Sequence, residues 1–89
     1  MTKNHEKKPP TILEQADLAA FVALHQHTQP KPFLRESDHR VCFEFLDDIG
    51  PSIQAFYQNE NVGIADYIKS LKHVRSAIFS LKGGANHDR

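Results

Sequence analysis

The sequence predicts a small single α+β domain with the element order β-α-β-β-α-α. In it an antiparallel hairpin packs on a long C-terminal helix. Two patterns carry that reading. From Ile64 to Leu81 the apolar residues Ile64, Tyr67, Leu71, Val74, Ile78 and Leu81 recur at steps of three and four, which lines one face of a helix. Between Arg40 and Phe45, Val41, Phe43 and Phe45 alternate with Arg40, Cys42 and Glu44, the period of a strand with one packed face. The length of 89 residues allows one domain, and 39% apolar residues are enough for a core.

The elements follow in order. Residues 1–10 are polar and end in Pro9-Pro10, so a disordered N-terminal arm is expected there. A short extended piece at 11–14 is followed by an Ala- and Leu-rich helix from Ala16 to Gln26. Its stripe Leu18, Phe21, Val22, His25 marks one buried face, and Asp17 near its start opposes the helix dipole. Thr28-Gln29-Pro30-Lys31-Pro32 breaks that helix, since each proline removes a donor. Phe33-Leu34-Arg35, the polar turn Glu36-Ser37-Asp38 and a strand at 39–46 form the hairpin, with its second face wet or weakly covered. Asp47-Asp48 caps a short helix carrying Ile49, Ile53 and Phe56 inward. Asn59-Glu60-Asn61-Val62-Gly63 separates this helix from the long one at 64–82, where Gly83 supplies a left-handed cap. The ordered domain is thus 11–82, and 83–89 is a flexible tail.

Composition narrows the function classes. No apolar run reaches the roughly 18 residues of a membrane helix, and the polar N-terminus lacks the apolar core of a secretory signal. The single Cys42 has no internal disulfide partner, so a cytosolic protein is expected, with no membrane association. Net charge is zero but unevenly spread: residues 36–66 hold seven acids against Arg40, whereas 67–82 hold Lys69, Lys72, Arg75 and Lys82 without an acid. The acidic middle and basic end can neutralise one another within one fold or across a dimer.

In this order, Asp17-Leu18-Ala19-Ala20-Phe21, Arg40-Val41-Cys42-Phe43-Glu44-Phe45, Phe56-Tyr57, Tyr67, Leu71 and Arg75-Ser76-Ala77-Ile78-Phe79 resemble a family of short bacterial proteins catalogued only as a domain of unknown function. The resemblance covers residues 11–81. It implies a bacterial, cytosolic origin and carries no activity to transfer. Gln15 or Ala16 stands where that family shows Thr, and no glycine follows the first helix.

His25, His27, His39 and Cys42 are the right types for zinc, but the i, i+2 pair His25/His27 points to different sides of a helix. Neither a metal nor another cofactor is expected. Cys42 and His39, three apart on one strand, fall on opposite faces, and Gly83-Gly84 ends a helix instead of opening one. The protein is therefore expected not to be an enzyme. Seventy or so ordered residues bury only about 60% of the unfolded surface, which leaves a marginal monomer. Apolar surface at Tyr57, Ile68 and Phe79 exceeds what one small hairpin covers. This points to a homodimer or a module for a further protein partner, with those three residues at the interface. The e and g positions of the last helix lack the charges of a parallel zipper. The alternative is a small nucleic-acid-associated protein using Lys69, Lys72, His73 and Arg75 on the basic side of that helix. Against it stands the zero net charge, and cations near a helix C-terminus also complement the dipole.

Overall fold

A computed structural model describes residues 9–83; the arm expected at 1–10 and the tail expected at 83–89 fall outside them, apart from Pro9, Pro10 and Gly83. The elements are β1 (Thr11–Leu13), α1 (Ala16–Gln26), β2 (Lys31–Arg35), β3 (Arg40–Phe45), α2 (Gly50–Tyr57) and α3 (Ile64–Leu81). β3 lies in the centre of an antiparallel three-stranded sheet, with β1 on one side and β2 on the other. Phe43 is paired with Leu13 across one edge and with Pro32 across the other. Pro32 thus belongs to a strand and not to the break expected at 28–32, and it is tolerated because β2 is an edge. The hairpin turn places His39 in the left-handed region (φ 58°), with its N–H donating to Arg35 O at 2.8 Å.

The alternation in β3 holds on the packed face, where Val41, Phe43 and Phe45 join the core. The outer face is drier than expected at one point: Cys42 is fully buried. A central strand has a neighbour at each edge, and Phe33 on β2, Cys42's partner in register, lies on the same face beside it.

α1 departs most from its expected single buried face. Leu18, Ala19, Ala20, Phe21 and Val22 are all buried, five in succession, because α1 is enclosed by neighbours and has little free side. α2 runs antiparallel to it, with Phe56 edge-on to Phe21 at 5.5 Å and Ser52 beside His25 and Gln26. α3 runs parallel to it. Tyr67 Oη donates to Asp17 O at 3.2 Å and Ser70 Oγ to Ala20 O at 2.8 Å, both at an offset of 50 residues. The small side chains of Ala19 and Ala20 permit that close approach. Val74 of α3 meets the hairpin through the cluster that also holds Val41 and Phe43.

The ends of the helices follow local chemistry. α1 closes on His27 in the left-handed region (φ 52°), where no glycine is present, with Thr28 N–H donating to Ala23 O at 3.1 Å. Asp48 Oδ1 accepts from Gly50 N–H at 3.1 Å at the start of α2, and Pro51 sits in the first turn. Gly83 takes φ 81° after α3, the conformation only glycine adopts freely.

At the mouth of the hairpin, Arg35 makes a two-pronged pair with Asp38, Nε–Oδ1 at 3.1 Å and Nη2–Oδ2 at 2.7 Å, and reaches Glu14 at 2.9 Å. The hydrogen bonds from Arg35, with the backbone N–H of Arg40, hold the Asp38 carboxyl down to about 2. A carboxyl whose folded value lies below its unfolded value, about 4, stabilises the fold above that unfolded value. This support is lost as pH falls from about 4 towards 2. Asp38→Asn should therefore lower the thermal midpoint slightly at pH 6 and match wild type near pH 2, as differential scanning fluorimetry at both values would register. The effect stays small because the pair is solvent-exposed.

Candidate functional site

α3 presents three different sides, and only one is spent on the core. Tyr67, Leu71, Val74, Ala77 and Ile78 pack against the domain, Val74 alone being fully buried. Burial raises the Tyr67 phenol above its ordinary value, with the negative charge of Asp17 acting in the same sense. The stripe expected to run from Ile64 to Leu81 is cut at both ends: Ile64 and Leu81 are exposed. The reason is length. α3 has 18 residues and α1 has 11. At the offset of 50 set by the two hydrogen bonds, α1 runs out before either end of α3 is covered.

The second side is an exposed apolar stripe. Ile64 is 72% exposed, Ile68 45% and Phe79 61%, and helical spacing places Arg75 in line with them. Their separations run four, seven, four, the same when read from either end. Tyr57, the third residue expected at an interface, is 65% exposed with its ring edge-on to Phe56. It belongs to α2, which packs on α1, so it stands apart from the α3 stripe.

The third side carries cations. Lys69, Lys72 and His73 line a groove of about 760 Å³ between α3, the C-terminal end of α1 and the start of β2. Of the four residues of the nucleic-acid reading, Arg75 alone does not line it. Among the described residues none of Lys69, Lys72 or His73 has an acidic side chain within ion-pair distance. The last turn of α3 contains no basic residue. The helix dipole, which acts within the terminal turn, therefore does not account for these cations.

One further cluster escaped the sequence. Ser52 Oγ lies 2.7 Å from His25 Nδ1 and 2.7 Å from Gln26 Oε1, while His25 Nε2 lies 3.1 Å from Glu60 Oε2. A carbonyl oxygen only accepts, so Ser52 donates to Gln26, and the two ring nitrogens of His25 lie against Ser52 and Glu60. Serine, histidine and carboxylate stand in the sequence of a hydrolytic triad, but the hydroxyl is fully buried and a substrate carbonyl has no approach to it. The cluster ties α1 to α2 and to the loop before α3. Ser52→Ala should cost about 1 kcal/mol by removing the hydrogen bonds to the part-buried His25 and Gln26, lowering the urea midpoint with an unchanged slope. The cluster's four residues come from α1, α2 and the loop before α3, and no sequence spacing links them.

Among the described residues no group of three or more His, Cys, Asp or Glu side chains is placed to hold a metal ion, and no helix is long and apolar enough to cross a membrane. His25, His27, His39 and Cys42 are accordingly not gathered: His27 and His39 occupy separate left-handed turns, and Cys42 is buried in the sheet. No family model matches the chain, and neither a curated protein nor a solved structure matches it.

Proposed function

We propose that this protein is a non-enzymatic interaction module of the bacterial cytosol that acts as a homodimer, α3 of one copy lying antiparallel to α3 of the other. The reading rests on the exposed stripe Ile64, Ile68, Arg75, Phe79. A two-fold axis demands that one patch complement itself. Spacings of four, seven, four do so: Ile64 of one copy faces Phe79 of its partner, and Ile68 faces Arg75, whose methylene stem covers apolar surface. The overhang of α3 beyond α1 leaves both ends of this stripe clear for such a contact. Tyr57 is an accessory contact in this proposal, and a further protein partner would use the dimer surface. The family resemblance carried by the Asp17-Leu18 helix and the Phe43-x-Phe45 strand belongs with the same reading. Nucleic-acid association by Lys69, Lys72, His73 and Arg75 has weaker support, because Arg75 lies outside the groove that the other three line. Phe79→Asp should give a folded monomer with wild-type far-UV dichroism, and size-exclusion chromatography with light scattering checks the mass.

A further inference from the structure

The cationic groove on α3 has the makings of a ligand site independent of the dimer stripe. Its volume, about 760 Å³, is in the range of small-molecule sites. Its walls are of two kinds. Ala23, Leu24, Pro30, Pro32 and Ala77, all partly exposed, contribute apolar surface, whereas Lys69, Lys72 and His73 stand three and four residues apart on the α3 side. A phosphate backbone calls for cations presented outward along an extended surface. Here they rim a concavity with an apolar lining. Asp66, one turn before Lys69, also lines the groove and would repel an anion at that end. The place for negative charge is therefore at Lys69 and Lys72, which lack an acidic partner among the described residues and have His73 beside them.

We propose that this groove binds an organic monocarboxylate with an apolar body, of the medium-chain acyl type. The carboxylate is held by Lys69 and Lys72 with His73 beside them, and the chain lies against Leu24, Pro30, Pro32 and Ala77. Charge complementarity selects the head and the apolar wall selects the body, so neither a short anion nor an uncharged alcohol satisfies both.

The test is titration of the full chain, followed by amide NMR shifts and calorimetry, with decanoate, decanol, acetate and a short DNA duplex. Decanoate should saturate one site per chain and shift the amides of residues 69–74. Acetate and decanol should each bind at least about tenfold more weakly, as should decanoate to the Lys69→Gln/Lys72→Gln variant, which loses the charge-assisted hydrogen bonds. Both lysines are exposed, so this variant should keep the wild-type melting temperature. Phe79→Asp should bind decanoate as wild type does, which separates this site from the dimer contact. Equal binding of decanol, unchanged affinity in the double variant, or saturable binding of the duplex to the same amides without a decanoate response would overturn the proposal.

Discussion

Phe43→Ala should leave the protein largely unfolded at 25 °C. Phe43 is essentially fully buried in the central strand β3, paired with Leu13 on one neighbour and Pro32 on the other. Truncating a core phenylalanine removes its transfer free energy and leaves a cavity, a combined loss of about 3–5 kcal/mol. Domains are stable by only about 5–15 kcal/mol in all, and one this small lies at the low end because it buries less of its surface. Here the strain is greater, since both other strands depend on β3 for every ladder hydrogen bond. Phe33→Ala provides the contrast. Phe33 is only partly buried, on an edge strand and the opposite face, so it should remain folded with a loss of about 1 kcal/mol, an ordinary value for a point substitution. Far-UV dichroism and urea titration distinguish the two. A cooperative Phe43→Ala transition close to wild type would contradict this placement of the core.

Ala20→Leu should be the next most damaging change, though it adds apolar surface. Ala20 is fully buried, and its carbonyl accepts the Ser70 hydroxyl at 2.8 Å from α3. The separation of two packed helices is set by the side chains between them. A leucine here forces α3 outward, at about 1–3 kcal/mol for overpacking. The Ser70 hydrogen bond is broken too, adding about 1 kcal/mol. Ser70→Ala alone should cost only that second amount. If Ala20→Leu proved no worse than Ser70→Ala in urea unfolding, the close contact of α1 and α3 would be wrong.

Both substitutions lie where the sequence was informative to different degrees. Val41, Phe43 and Phe45 were legible as a packed strand face because period two is a local property of consecutive residues. The capping of α3 by Gly83 was legible for the same reason. The first helix was read too narrowly. Ala19 and Ala20 look neutral in a stripe analysis, yet their smallness is what lets α3 close over them. The reading of α3 failed at its ends for a reason no periodicity contains. Ile64 and Leu81 have the right spacing for burial, but α1 is too short to cover them. The four-seven-four spacing of Ile64, Ile68, Arg75 and Phe79 was present in the sequence, and it acquires meaning only once the covered side of α3 is known. The groove was hidden altogether, because Leu24, Pro32 and Lys69 are brought together by three different elements.

Self-association through the outer stripe of α3 is tested most directly by sedimentation velocity across a micromolar concentration range, on wild type and on Ile68→Asp. Wild type should sediment as a dimer of two 10.1 kDa chains. Ile68→Asp should sediment as a folded monomer, because Ile68 lies on the exposed stripe and outside the core cluster. A wild-type protein that remains monomeric throughout that range, or an Ile68→Asp variant that remains dimeric, would contradict the account.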